Sequence, residues 1–271
     1  MSTNPDEFYI GYQAQAPDRF SRFLKRIIFV LLLVLPLLSV VLVISQRGFS
    51  SGTFEFGNQK VLEGIAYRQP FPHLRIISGK DIHGNYNYQN IILLGYGKFG
   101  ASGILGEIEK KVGSDLEQVV IKLSGTLIYN DGKTLFELTK QVDSYVSHST
   151  NLSEFQRSTP KTEKYGSVQL EGEIIDPKCY FGVMKPGEGK PHRSCAIRCI
   201  SGGIPPMLAV RNQKGESNYY VLLGENGEPI NKKVLDFVAE PIMASGMLKS
   251  LEDWLILEVN PKSGIQRPKS N

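Results

Sequence analysis

The stretch KPHRSCAIRC, residues 190–199, holds the densest chemistry in the chain: His192, Cys195 and Cys199. The remaining cysteine of the three, Cys179, lies upstream, so the spacing is C-x15-C-x3-C with His192 just before the middle cysteine. Pro191 suits the first turn of a helix. Gly202 and Gly203 suit its end, and Pro205-Pro206 would stop it. The pattern therefore predicts a helix over 191–200, on which His192, Cys195 and Cys199 fall at i, i+3 and i+7 and share one face. Cys179 would approach that face from the strand GEIID through the turn at Pro177-Lys178.

Three chemistries are open to this set. Three thiolates and an imidazole match a Cys3His zinc site in ligand type and number. Copper(I) accepts the same donors, and Met184 adds a soft ligand in the same loop. A structural disulfide is the second reading. Cys195 and Cys199 sit on successive helical turns and are poorly placed to bridge each other, so Cys179 would pair with one and leave a thiol over. A redox-active or nucleophilic thiol is the third, because His192, Arg193 and Arg198 crowd a cysteine near a helix N-terminus. No complete acid–base set accompanies it. The metal site is the leading expectation, with Cys179, His192, Cys195 and Cys199 as ligands and zinc or copper as the ion.

The elements that must carry this cluster begin with an apolar run. Residues 27–44, IIFVLLLVLPLLSVVLVI, contain no charge over a length that suits a transmembrane helix. The run exceeds a usual signal-peptide core and no A-x-A site follows it, so an uncleaved anchor is expected. Arg19, Arg22, Lys25 and Arg26 precede it and only Arg47 follows closely. The positive-inside rule then places the tail 1–26 in the cytoplasm and the rest in the periplasm or outside the cell. Cysteines there meet an oxidising compartment. The lipid bilayer is thus one expected partner and a membrane or periplasmic protein another.

Net charge is +4 over 271 residues, too mild to argue for nucleic acid. With 27 glycines and 15 prolines the remainder reads as turn-rich β structure. Two stretches, 58–140 and 167–261, resemble each other weakly. Each has a strand with LEG (62–64, 170–172), a strand ending LLG (93–95, 222–224), and a final hairpin with a glycine in its first strand. Short alternating strands with one helix apiece (104–112 in the first, 191–200 in the second) suggest OB-like barrels. The fold class expected is mainly β: an N-terminal transmembrane helix followed by two tandem small OB-like modules. Residues 141–166 read as a linker and 262–271 as a tail. Trp254, Tyr219 and Tyr220 would fill a barrel core. His73, His83 and His148 read as loop or linker residues.

GYGKFG, residues 95–100, matches G-x-G-x-x-G after an apolar strand. No acidic residue closes the next strand, and too little chain follows for a dinucleotide-binding sheet. No nicotinamide or flavin is expected. The loop GVMKPGEGKPHR (182–193) reads as a solvated basic turn.

The run KCYFGVMKPGEGKPHRSCAIRCISGGIPP (178–206), with YIGY (9–12) and GTFEFG (52–57), resembles a signature of uncharacterised single-pass membrane-anchored bacterial proteins. The resemblance implies no established activity. It implies only that the Cys/His cluster is a feature of the family. Beside the metal-binding or redox accessory protein, the alternatives are a structural or assembly subunit with one disulfide, and a thiol-dependent enzyme.

Overall fold

The computed structural model describes residues 17–46, 52–152, 155 and 160–268. The chain divides into two compact units, residues 1–48 and 49–271. The YIGY segment lies outside the described residues.

Among the described residues of the first unit lies helix α1 (Asp18–Gln46), whose 29 residues extend about 44 Å at 1.5 Å per residue. It is long and apolar enough to cross a membrane, and its apolar stretch is not buried inside the protein. The helix starts earlier than the expected span. Arg19, Arg22, Lys25 and Arg26 lie on its first turns rather than in a tail, because arginine, lysine and leucine are all good helix formers. Pro36 sits inside it, and the Ser39 hydroxyl donates to the Leu35 carbonyl at 2.8 Å.

The second unit opens with β1 (Thr53–Phe54). A barrel follows from β2 (Lys60–Tyr67), β3 (His73–Lys80), β4 (Tyr86–Leu94), helix α2 (Ser102–Val112), β5 (Val120–Asn130) and β6 (Lys133–Leu138). The strands close in the order β2-β3-β4-β6-β5 and back to β2. All pairs are antiparallel except β4–β6. This is the five-stranded Greek-key order of an OB barrel. α2 buries Leu105 and Ile108 in its core.

Part of the expected linker is ordered strand. β7 (Tyr145–Ser149) pairs with β5, and β8 (Thr162–Ile175) begins well before the expected module boundary. Its polar composition reflects exposure: most of β7 and the first half of β8 face solvent on one or both sides.

The second barrel adds helix α3 (Gly189–Ser201), β9 (Met207–Arg211), β10 (Ser217–Gly224), β11 (Pro241–Leu251) and β12 (Trp254–Val259), with β13 (Ile265–Gln266) beside β11. Its ring runs β8-β9-β10-β12-β11 and back to β8, again with one parallel pair, β10–β12. The order is that of the first barrel strand for strand. Only the helix moves, from between the third and fourth strands to between the first and second.

The recurring sequence motifs occupy equivalent places. A Cβ on Gly64 would stand 2.3 Å from the Arg75 carbonyl oxygen, and one on Gly172 would stand 2.4 Å from that of Ala209. Gly125 faces the Glu137 carbonyl at 2.3 Å and Gly246 faces that of Glu258 at 2.0 Å. These glycines are places where only a missing side chain lets the next strand cross. After each LLG the loop closes alike: Gly95 N–H donates to the Phe99 carbonyl at 2.9 Å, and Gly224 N–H to that of Glu228 at 2.8 Å.

The three largest apolar clusters among the described residues organise the unit. One fills each barrel, and a third lies between them, formed by Phe71, Ile92, Leu94, Ile128 and Leu135 from the first and by Phe181, Tyr219, Val221, Leu223, Trp254 and Ile256 from the second, among others. Strand alternation explains the division. In β4, Ile91 and Leu93 face the barrel while Ile92 and Leu94 face the seam. In β10, Tyr220 and Leu222 face the barrel while Tyr219, Val221 and Leu223 face the seam. Trp254 and Tyr219 therefore belong to the seam rather than to a barrel core, and only Tyr220 fills the place expected of all three. His73 is likewise no loop residue: it opens β3 and is buried. His148 lies on β7 and is exposed.

Candidate metal centre

Strand β8 ends in the buried pair Ile174-Ile175, and the chain then turns through Asp176-Pro177-Lys178. The Tyr180 N–H donates to the Asp176 carbonyl at 3.0 Å, and the Asp176 carboxylate accepts from the Lys178 N–H at 3.0 Å. These bonds start a single wide helical turn, Cys179–Val183. Its packing puts Tyr180 and Phe181 into the seam and Cys179 against α3.

α3 begins two residues before the expected helix and ends one residue beyond it at Ser201, where the Gly202 N–H returns to the Arg198 carbonyl at 3.0 Å. Ala196 and Ile200 pack into the second barrel, while Cys195 and Cys199 face the seam. Arg193 is tied to Glu240 and to the Asp236 carbonyl, so it is less a solvated loop residue than the basic run suggested. His192 is buried on the first turns of the helix.

The structure brings the four expected ligands together around Cys179, but in two overlapping trios. Potential ligand atoms of Cys179, His192 and Cys195 lie within 4.8 Å of one another, and so do those of Asp176, Cys179 and Cys199. The Cys179 and Cys195 sulfurs are 3.8 Å apart. All three cysteines are free thiols. Asp176 is the member that sequence spacing did not reveal. It is wholly buried, and its Oδ2 has no hydrogen-bond partner among the described residues. His192 Nε2 is buried and unpartnered in the same sense.

Electrostatics define the resting state. The hydrogen bond to Cys199, burial and the nearby Asp176 carboxylate all push the Cys179 thiol upward, so it keeps its proton. Burial holds His192 below its ordinary value; Asp176 opposes this and Lys98 adds to it. An imidazole held neutral and a Cys179 thiol that keeps its proton are groups that an incoming cation can convert to ligands, with release of the thiol proton.

Two lysines complete the surroundings. Lys98 Nζ donates to Cys195 Sγ at 2.9 Å, and this bond raises the lysine's own pKa. Lys98 belongs to GYGKFG, so the motif that reads as a glycine turn delivers a cation from the first barrel to the cluster on the second. The Gly100 N–H bonds the Gly202 carbonyl at 3.0 Å, which fixes that loop to the end of α3. Lys178 Nζ is buried and bonds Glu137 Oε1 at 2.6 Å, the Gly95 carbonyl at 3.2 Å and the Gly97 carbonyl. The Gly97 N–H also donates to Glu137 at 3.0 Å. Lys98, Glu137 and Lys178 carry no spacing signal, since their partners lie 40 to 97 residues away.

The cluster opens on a cavity of about 680 Å³. Cys179, Cys195, Cys199 and Lys178 line one part of it, and Phe54, Phe56, Tyr96, Leu138 and Met184 supply apolar wall.

No family model matches the chain, and no curated protein matches it. Among solved structures, it is similar to a deletion mutant of the single-stranded DNA binding protein from Thermus aquaticus, at 13% identity and a TM-score of 0.21, over 82% of this chain and 90% of that one.

Proposed function

We propose that this protein is a membrane-anchored metal-binding accessory protein whose second barrel takes up one zinc or copper ion at the Cys179 cluster. The observation that carries this reading is the convergence of Cys179, His192 and Cys195 within 4.8 Å beside two buried polar atoms, Asp176 Oδ2 and His192 Nε2, that have no partner among the described residues. Unpartnered buried polar atoms are costly, and a cation would repay that cost. The sulfur spacing agrees. Two thiolates each about 2.3 Å from a tetrahedral ion stand about 3.8 Å apart, which matches the Cys179–Cys195 separation.

α1 and the basic residues before its apolar run support a single-pass anchor with the N-terminus in the cytoplasm and the barrels in the periplasm or outside the cell. There the cluster would serve a membrane or periplasmic partner. The test is elemental analysis of the full chain in detergent, purified without chelator. Near one zinc or copper per chain, lost in Cys179→Ser and in His192→Ala, is expected. A metal content that these substitutions do not change would remove the reading.

A further inference from the structure

We infer that Cys195 and Cys179 form a dithiol couple that exchanges with a disulfide flanked by apolar groups, admitted through the cavity at the seam. The inference concerns the metal-free cluster and does not rest on metal uptake.

Access separates the three sulfurs. Cys179 is 5% exposed and Cys199 1%, whereas Cys195 is only partly buried, and all three border the cavity. An attacking thiol must reach the incoming sulfur, and Cys195 is the one placed to do so. Lys98 Nζ, at 2.9 Å, sets a positive charge beside the sulfur that attacks. The resolving thiol must then lie next to the attacker. Cys179 Sγ, at 3.8 Å from Cys195 Sγ, is already in van der Waals contact with it. Cys199 follows Cys195 by one helical turn, where the backbone keeps two cysteines too far apart to bridge easily.

The exchange balances as follows. Cys195 sulfur bonds to one sulfur of the substrate R–S–S–R′, the substrate S–S bond breaks, and R′SH leaves with the proton that Cys195 gave up. Cys179 sulfur then bonds to Cys195 sulfur and the mixed disulfide breaks. RSH leaves with the Cys179 proton. The protein loses two hydrogens and becomes a Cys179–Cys195 disulfide, and the substrate is reduced to two thiols.

The substrate class follows from the wall. Phe54, Phe56, Tyr96 and Met184 border the cavity, and Phe56 is 82% and Tyr96 54% exposed. Large apolar side chains held open to solvent at the rim of a pocket mark a surface for apolar groups. A disulfide with apolar flanks gains from that surface and one with charged flanks does not.

The full chain in detergent, stripped of metal by chelation, is treated with oxidised glutathione and, separately, with a cystine dipeptide carrying leucine on both arms. Cross-links are mapped by peptide mass spectrometry after alkylation. The expected product joins Cys179 to Cys195 and leaves Cys199 alkylated, and the leucine disulfide reacts about tenfold faster. Cys179→Ser should trap the mixed disulfide on Cys195. Lys98→Met, an exposed change that leaves the barrels intact, should slow the first step several-fold. A cross-link to Cys199, a mixed disulfide trapped on Cys199, equal rates for the two probes, or no cross-link under excess disulfide would each overturn the inference. Metal content measured on the same preparation before chelation reports separately on the metal reading.

Discussion

The Tyr219 hydroxyl donates to the Asp131 carboxylate at 2.6 Å across the seam between the barrels, and the same relationship recurs with the partners exchanged. Asp131 opens the two-residue turn between the last strands of the first barrel, and Tyr219 lies on the third strand of the second. Glu252 opens the matching turn of the second barrel. Its carboxylate accepts from Asn90 Nδ2, on the third strand of the first, at 2.7 Å and from Arg75 at 2.8 Å. Both turns place a non-glycine residue at positive φ, Asp131 at 46° and Glu252 at 51°, as tight hairpin turns require. Each turn's leading acid is thus a clasp on the other barrel.

Removing the buried clasp should cost more. Glu252→Ala takes away the carboxylate that Arg75 and Asn90 share, and Arg75 is 1% exposed. The expected loss is about 3 kcal/mol or more. Tyr219→Phe breaks one hydrogen bond to an acid that solvent reaches, at about 1–2 kcal/mol. Urea unfolding of both variants, in the same detergent, checks the order. Equal losses would show that burial of Arg75 does not set the scale.

His73 should make the fold acid-sensitive. Its Nδ1 lies 2.8 Å from the Phe71 carbonyl, its ring stacks on Tyr67, and its Nε2 has no partner among the described residues. Burial pushes its pKa down from 6.5 to about 4, with the Phe71 bond opposing. The unfolded chain then binds a proton that the folded chain refuses between pH 6.5 and 4, so stability is full above that window and falls as pH drops through it. The loss is about 2 kcal/mol between pH 7 and 5. Urea midpoints at those two pH values, compared between wild type and His73→Gln, measure it. A pH slope unchanged in the variant would assign the sensitivity elsewhere.

Gly246→Ala should disrupt the second barrel, since its Cβ would sit 2.0 Å from the Glu258 carbonyl oxygen. Overpacking against backbone leaves no side chain to yield, and about 3 kcal/mol or more is expected. Gly103→Ala serves as the control, because nothing lies within 4 Å of a Cβ there. Thermal unfolding by circular dichroism distinguishes them, and similar midpoints would refute the steric account.

Gly100→Ala should weaken the cluster from a distance. A Cβ there would stand 2.1 Å from the Gly203 carbonyl oxygen, prising GYGKFG off the end of α3 and drawing Lys98 from Cys195. Metal affinity is expected to fall about tenfold or more, as when outer-shell partners are lost. Competition with a chromogenic chelator reads the affinity, and far-ultraviolet circular dichroism shows whether the barrels persist. Unchanged affinity would mean that the first barrel contributes nothing to the site.

Much of this architecture was legible in the chain. LEG, LLG and the hairpin glycines marked equivalent strands because the same crowding recurs in each barrel. The helix carrying His192, Cys195 and Cys199 followed from Pro191 and the closing glycines. The seam was harder to read. NIILL and YYVLLG are unbroken apolar runs rather than alternating ones, the mark of strands covered on both faces, and Trp254 and Tyr219 were assigned inward for want of a second surface. His73 looked like a loop residue because Pro72 precedes it, although β3 begins there. Asp176 and Lys98 were invisible as site residues, since one is set by a local turn and the other by contact between barrels.

The reciprocal clasps make the seam isologous, as in a symmetric homodimer whose two subunits use one patch on each other. Here the subunits are two halves of one chain. A homodimer of that kind would carry every site twice. This chain cannot, because the helix bearing the cysteines is inserted in one half alone, while the matching position in the other half is the short link between β2 and β3. One half therefore bears the cysteines alone, and the other half meets them through Lys98.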